Sequence, residues 1–212
     1  MAFVYGTGTF GGNFLNDFIA GIGNVSINNF IAGDDGDDVI IGDLTSAPYI
    51  IPTTQNVRSF ATAANLDDSS FWTTSATGIV GTGTTPHIVV DFSASSQTGS
   101  TLFMAVTVGA GQTITVDTDI TNAINGPSET DTVIQLYDSS FAGVAYDDDT
   151  SGDPGSQTST SASLLSYTSS VAQTLYIQVA EFGLGGLFDD FEGDERFLIN
   201  VSVTGHAATG LA

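Results

Sequence analysis

Hydrophobic and polar residues alternate over most of the chain after residue 56, with the two-residue period of β-strands. The alternation is clearest in residues 113–117 and 174–179. A period of two places successive side chains on opposite faces of a sheet, so one face can be buried while the other stays solvated. The pattern predicts eight strands, at 87–92, 101–108, 112–119, 131–138, 142–147, 162–168, 173–181 and 196–203.

Turn-forming residues separate these strands, as in residues 109–111, 125–127 and 151–155. No segment has the apolar spacing of an amphipathic helix. Short strands with polar connections favour an antiparallel sandwich. We therefore predict an all-β protein with a jelly-roll-like β-sandwich over residues 56–204 and a C-terminal tail at 205–212.

Residues 1–45 have a different pattern, in which a polar pair, an apolar pair and a glycine recur. Three copies align, at 16–21, 28–33 and 37–42. The repeat suits a coil of turn, short strand and turn, with glycine at the tight corners. We predict a short β-roll-like segment here and a linker with two prolines at 46–55. So few coils bury little surface, so we expect them to pack on the sandwich, on further coils or on another subunit.

The charge balance excludes several classes of partner. The chain has 24 acidic residues and two basic ones, Arg58 and Arg196, and its net charge is −22. Binding to nucleic acid or to an anionic membrane needs Lys and Arg, so neither is expected. Hydrophobic residues make up 41% of the chain, which is enough for a folded core. The excess negative charge therefore points to a bound divalent metal.

The sequence also lacks several features of other protein classes. It has no cysteine, and it has neither a basic, apolar leader nor an apolar run long enough to span a membrane. Two histidines, His87 and His206, are too few for a three-histidine zinc site, and no Gly-x-Ser-x-Gly motif is present. We expect a non-catalytic protein without membrane insertion, and any export by a route that uses no signal peptide.

An aspartate-rich motif lies in the third repeat. Residues 33–41 read Gly-Asp-Asp-Gly-Asp-Asp-Val-Ile-Ile, and Gly and Asp follow. This resembles the Gly-Gly-x-Gly-x-Asp-x-aliphatic-x nonapeptide of RTX (repeats-in-toxin) β-rolls. The resemblance implies a Ca²⁺ site with Asp38 at the ligand position and Asp35, Asp37 and Asp43 beside it. Ca²⁺ takes roughly six to eight oxygen ligands in irregular geometry, which such turns supply. The alternative is a solvated aspartate turn without metal.

A second resemblance covers the sandwich range. Its segments are 106–117, 131–138, 146–149 and 174–179, in that order, and together they resemble a PPC-type (pre-peptidase C-terminal) β-sandwich of bacterial secreted proteins. The resemblance implies an extracellular, non-catalytic module that is often stabilised by calcium and serves in binding or accessory roles.

Further aspartates in this range are candidate calcium ligands. Asp117 and Asp119 share one face of a predicted strand, because side chains alternate with period two. Asp131, at the start of the next strand, is expected to converge on them. Asp147 and Asp148 belong to a separate acidic run at 147–149. The alternative for each cluster is a solvated loop tip.

Together these observations predict an extracellular, bacterial, calcium-binding structural protein that self-assembles, as a surface layer, matrix fibre or adhesin subunit. Ca²⁺ would order the N-terminal segment, whose strands would then pair with a neighbouring copy. The alternative is a secreted, calcium-stabilised accessory module that binds a glycan or a peptide. Exposed aromatic side chains on one sheet face would favour that alternative.

Overall fold

A computed structural model describes the chain at residues 3–6, 10–11, 18–22, 31–32, 39–44, 49–50, 56–74, 85–93, 101–119, 131–149, 161–183, 186–191 and 196–209. Regular structure in these residues is β-strand, apart from two short 3₁₀ turns at Phe60–Thr62 and Ser69–Phe71. The predicted all-β fold is confirmed. Within the same residues, no helix has the length and apolar character needed to cross a membrane.

The N-terminal strands form two parallel sheets. They are β1 (Phe3–Gly6), β2 (Phe10–Gly11), β3 (Phe18–Ile22), β4 (Ile31–Ala32) and β5 (Val39–Leu44). One sheet has the order β1-β3-β5, and the other contains β2 and β4. Successive strands therefore alternate between the two sheets, which is how a chain winds in a coil.

The three sequence repeats each contain one of these strands, but they do not all lie in one sheet. The first and third repeats pair side by side, with Phe18 opposite Val39. The second repeat lies in the other sheet, where Ile31 pairs with Phe10. One turn of the coil thus uses two repeats, since each repeat supplies the strand of only one sheet.

The rest of the chain forms two larger sheets from the strands β6 (Tyr49–Ile50), β7 (Ala64–Asn65), β8 (His87–Ser93), β9 (Leu102–Val108), β10 (Thr113–Asp119), β11 (Thr132–Tyr137), β12 (Gly143–Asp147), β13 (Leu164–Thr168), β14 (Gln173–Gly183), β15 (Gly186–Asp189) and β16 (Arg196–Val203). The five-stranded sheet has the order β13-β10-β16-β8-β6. In the six-stranded sheet the order is β12-β11-β14-β9-β7, and β15 pairs with β14. The eight strands expected from the alternation are all present, with ends that differ by at most two residues.

The core lies between the two sheets and follows the predicted alternation. Ile114 and Val116 of β10 are fully buried, as are Leu175, Ile177 and Val179 of β14. All five belong to one contiguous hydrophobic cluster that also contains Trp72. Burial of every second side chain from both sheets makes this a β-sandwich.

Three strands of the two larger sheets were not expected from the sequence. Tyr49–Ile50, inside the expected linker, pairs with β8, and Ala64–Asn65 pairs with β9; both pairings are parallel. Two residues are too few to show an alternating pattern. The third strand, β15, folds back on β14, and a Cβ at Gly183 would lie 2.7 Å from the Asp189 Cβ. Glycine is therefore required at that turn.

The described residues after Val203 pack back on the sandwich. The His206 ring stacks on Trp72, with ring centroids 3.8 Å apart and an interplanar angle of 22°. The Trp72 Nε1–H donates to the Leu66 carbonyl at 2.6 Å, and the Thr209 N–H donates to the Ser69 carbonyl at 2.9 Å. This part of the C-terminal tail is thus held over the 66–72 segment.

Candidate metal centre

A hairpin brings two acidic segments to the same end of the sandwich. Strands β11 and β12 pair antiparallel, with Ile134 opposite Asp147. The residues after Asp147 therefore lie beside those that precede Ile134. Asp131, just before β11, meets Asp148 and Asp149, just after β12, and we call these three residues the acidic trio.

The spacing of the acidic trio suits a single metal ion. Each residue contributes a carboxylate oxygen, and the three oxygens lie within 4.8 Å of one another. Ca²⁺ binds oxygen at about 2.3–2.6 Å, so two ligands of one ion can be up to about 5 Å apart. All three carboxylates can therefore reach a common Ca²⁺ ion.

Within the described residues, one buried oxygen of the trio has no protein hydrogen-bond partner. Asp131 Oδ1 is buried, and no hydrogen-bond donor for it exists in the part of the chain that the structure describes. A buried carboxylate oxygen without a donor is costly, because it has lost its water and gained nothing in exchange. A bound cation at the trio would satisfy this oxygen.

The local electrostatics also favour a cation. Burial, together with the negative charges of Asp149 and Asp148, raises the pKa of Asp131 to about 6. Burial likewise raises the pKa of Asp149, with added repulsion from Asp148 and Asp147. Like charges that cannot separate make the ionised trio unfavourable, and an ion of charge +2 would reverse that balance.

Buried hydroxyl groups hold the trio in place. The Thr118 and Thr132 hydroxyls lie 2.7 Å apart, and the Ser163 N–H donates to Thr118 Oγ1 at 2.9 Å. Ser163 Oγ is within hydrogen-bond distance of the carbonyl oxygens of Thr132 and Asp148. Because these residues come from β10, β11 and the segment before β13, the network links both sheets directly behind the trio.

An aromatic side chain borders the trio on the outer side of β12. Burial raises the pKa of Tyr146 to about 12, and the charge of Asp148 and a side-chain hydrogen bond to it contribute. Tyr146 is 38% exposed. The Tyr146 hydroxyl thus stays protonated and positions the Asp148 carboxylate.

The N-terminal candidates are outside this site. Asp35, Asp37 and Asp38 lie outside the described residues, and Asp43 lies in β5, where only the backbone is described. The RTX-like calcium site therefore stays a prediction.

The structure does not bring Asp117 to Asp131. In β10, Val116 and Thr118 face the six-stranded sheet, since Val116 belongs to the core and Thr118 contacts Thr132. Asp117 is buried on the opposite face. Asp119 ends β10, and its side chain is outside the described part. The grouping of Asp131 with Asp119 therefore stays a prediction.

Asp147 has a different position from its two neighbours. Its Oδ2 accepts the backbone N–H of Leu164 at 3.0 Å, so it links β12 to β13. Asp149 belongs to the trio instead. It lies in the same acidic run of the sequence but is not among the ligands predicted there. The available signal was the hairpin itself, because pairing 131–138 with 142–147 predicts that residues 148 and 149 meet residue 131.

Comparisons with known proteins add little to this description. No family model and no curated protein matches the chain. Among solved structures, the chain is similar to the Aeromonas hydrophila protein PliG, a periplasmic lysozyme inhibitor of g-type lysozyme. The identity is 15%, the match covers 56% of this chain and 82% of that protein, and the TM-score is 0.30. A similarity at that level carries no argument about function. None of these comparisons tests the RTX and PPC resemblances, which therefore stay predictions.

Proposed function

We propose that this protein is an extracellular, calcium-binding, non-catalytic structural protein that assembles with copies of itself. The observation that carries the proposal is the position of β1 and β5. Among the described strands, each of them pairs only with β3, so both are outer strands of the parallel sheet. An outer strand with unpaired backbone groups is a template for another chain.

The two edges suggest a specific mode of assembly. If β5 of one copy pairs with β1 of the next copy, the parallel sheet continues from one molecule into another. The contact joins two different surfaces, so it can repeat from copy to copy, and it generates a fibre where the rotation between copies does not close a ring. Surface-layer, matrix-fibre and adhesin subunits all need contacts of this open type.

Calcium would control the stability of the assembling unit. In the sandwich, Ca²⁺ at the acidic trio would neutralise Asp131, Asp148 and Asp149. A ligand present at 100 times its Kd stabilises the folded state by about 2.7 kcal/mol. At the low calcium concentration inside a cell the chain would be less stable, and folding would be completed outside.

The proposal is tested by titrating Ca²⁺ into chelator-treated protein while far-UV circular dichroism and light scattering are recorded, with Mg²⁺ as a control. The proposal predicts a gain of β signal together with a rise in scattering. A gain of β signal without scattering would contradict assembly. An absence of any response to Ca²⁺ would contradict the metal assignment as well.

A matched pair of variants tests the β5 edge itself. Backbone N–H groups of successive residues point to opposite sides of a strand, so of Ile40 and Ile41 one donates towards β3 and the other towards the outer edge. Proline at the outward position removes one donor there without touching the β3 ladder. We expect one of Ile40→Pro and Ile41→Pro to block scattering while keeping the calcium-induced β signal. If both variants scatter like the original chain, the contact is elsewhere.

A second candidate function is that of a secreted, calcium-stabilised binding module. A cluster of aromatic rings on one face of the six-stranded sheet favours it, with Phe141 51% exposed. A protein that stays monomeric at every calcium concentration and binds a ligand through that face would fit this candidate.

A further inference from the structure

Five aromatic rings cluster on the outer face of the six-stranded sheet, and we call them the aromatic face. Phe60 is at the centre, with its ring centroid 4.6 to 5.4 Å from those of the other four. The other four rings are Phe103, Tyr137, Phe141 and Tyr176. Tyr137 and Tyr176 are cross-strand neighbours in β11 and β14, and their flanking residues Leu136 and Leu175 point into the core. The rings therefore stand on the side of the sheet away from the core.

Phe141 presents its ring to solvent at a cost in backbone energy. Its side chain is 51% exposed, and its φ is +64°, in the left-handed region that an aromatic residue rarely adopts. The turn is held by Asp138, whose Oδ1 accepts the backbone N–H groups of Ser140 and Ala142 at 2.8 and 3.0 Å. Backbone strain of this kind persists where the surrounding structure enforces it, and it is concentrated at functional surfaces.

One carboxylate lies beside the aromatic face, and others lie elsewhere on the same sheet. Asp138 lies in the Phe141 turn, and the hydrogen bonds from Ser140 and Ala142 lower its pKa, so it is ionised. Asp67 accepts hydrogen bonds from the N–H and hydroxyl of Thr107 at 2.7 and 2.8 Å, on the same outer side of β9. The acidic trio lies at the far end of the hairpin, beyond Tyr146. Arg58, two residues before Phe60, is the single cation of the described segment 56–74.

This combination indicates the chemistry of a partner. In a chain of net charge −22, the long-range field attracts cations and repels anions. The face of an aromatic ring is itself attractive to an ammonium or guanidinium group. Arginine adds planar stacking and is enriched with tyrosine at the centres of interfaces. Charge and ring chemistry thus favour the same class of ligand.

We propose that the aromatic face binds a basic, arginine- or lysine-rich segment of another polypeptide, with Phe141 and Tyr176 as the rings that contact its cationic side chains. The inference specifies the partner class of the second candidate function. It depends neither on calcium at the trio nor on pairing at β5. The calcium titration and the peptide titration are separate measurements, so failure of one is distinguishable from failure of the other.

The test titrates the full chain with an unstructured peptide of alternating arginine and glycine, at physiological ionic strength, where surface charges are screened beyond about 8 Å. A glutamine-for-arginine peptide is the ligand control. Phe141→Asn removes the ring and keeps a residue that tolerates the left-handed backbone. Val171→Thr is the matched protein control, because Val171 is 54% exposed and is not one of the five rings. Thermal melting establishes that each variant is folded.

We expect the arginine peptide to bind the original chain and to shift the aromatic NMR signals of Phe141 and Tyr176. Phe141→Asn should weaken binding by about two- to fivefold, the size of one exposed cation–π contact, and Phe141→Asn with Tyr176→Thr should weaken it further. Val171→Thr should bind like the original chain. Equal binding by the ring variants would overturn the proposal, because charge alone would then explain it. Shifts of these signals by cellohexaose or chitohexaose, without shifts by the peptide, would make the surface a glycan site instead.

Discussion

The carboxylate of Asp147 accepts a hydrogen bond from the backbone N–H of Leu164 at 3.0 Å. Asp147 ends the outer strand of the six-stranded sheet, and Leu164 begins the outer strand of the five-stranded sheet. A single side chain therefore joins the two sheets at an open side of the sandwich. It also satisfies a backbone donor at a strand edge that would otherwise be available to another chain.

Replacing this side chain should loosen the sandwich. We expect Asp147→Ala to lower the free energy of unfolding by about 1–2 kcal/mol, at the low end for a charged hydrogen bond because the side chain is only half-buried. Asp147→Asn keeps an acceptor oxygen and should lose about half as much. Urea unfolding measures both, with the exposed Asp190→Asn as the control. A loss in Asp190→Asn equal to that in Asp147→Ala would show a general charge effect.

Repulsion among the negative charges of the acidic trio should destabilise the folded protein when calcium is absent. Asp131→Asn removes a charge that is partly buried beside Asp148 and Asp149, so the calcium-free variant should be more stable than the original chain near pH 7.5. The gain should be at most about 1 kcal/mol, since solvent screens a partly exposed group. The same variant should lose most of its stabilisation by Ca²⁺. Melting in chelator and in Ca²⁺ measures both effects, and lower stability of the calcium-free variant would contradict this account.

The raised pKa of Asp131 predicts how calcium stabilisation depends on pH. A carboxyl whose pKa rises to about 6 on folding stabilises the folded state when protonated. That contribution is complete below about pH 4, the pKa of the unfolded chain, and is lost as the pH rises through 6. Ca²⁺ binds the ionised form, so its stabilising effect should grow over the same window.

The measurement is the difference in melting temperature between Ca²⁺ and chelator from about pH 5 to pH 8. We expect a small difference at the acidic end and a large one at the basic end. Asp131→Asn should show a nearly flat profile. An equally large difference at both ends in the original chain would mean that Ca²⁺ acts elsewhere.

The strands of the sandwich were predictable because their side chains alternate between a buried and a solvated face. Every second residue of β10 and β14 is buried, and turn residues separate the strands. The parallel strands Tyr49–Ile50 and Ala64–Asn65 were not predictable, since two residues show no period and their partners are far away in sequence. Long-range pairing determines such strands, and local pattern does not.

The candidate site was predictable only in part, for a related reason. Residue composition identified Asp131 and the 147–149 run as acidic clusters, but proximity depends on which strands pair. The sequence predicts Asp117 as a neighbour of Asp131. Side chains of β10 alternate between its two faces, however, and Thr118, not Asp117, faces the six-stranded sheet. The β11–β12 hairpin, which joins adjacent strands through a short turn, would have placed Asp148 and Asp149 correctly.

The strained turn at Phe141 predicts that a glycine variant is more stable than an alanine variant at this position, the reverse of the usual order. At φ +64° a Cβ is unfavourable, and glycine is not. Phe141→Gly and Phe141→Ala remove the same ring contacts with Phe60 and Tyr176. The glycine variant should nevertheless be more stable by about 1 kcal/mol. Urea unfolding of the pair isolates the strain, and an alanine variant as stable as the glycine variant would show that the turn relaxes.

The stack of His206 on Trp72 predicts a fluorescence change, because Trp72 is the one tryptophan of the chain. Its indole is fully buried, and the His206 ring covers it at a centroid distance of 3.8 Å. His206→Ala should admit water to the indole and shift its emission to longer wavelength. The free energy of unfolding should fall by about 0.5–1.5 kcal/mol, the contribution of one aromatic pair beyond its buried area.

His206→Phe keeps an aromatic ring at this position and should restore both the emission and most of the stability. His206→Ala also removes the contact that holds the tail over the 66–72 segment, so proteolysis after Val203 should become faster in that variant alone. Unchanged emission in His206→Ala would mean that the Leu66 carbonyl and the surrounding core shield Trp72 without the tail.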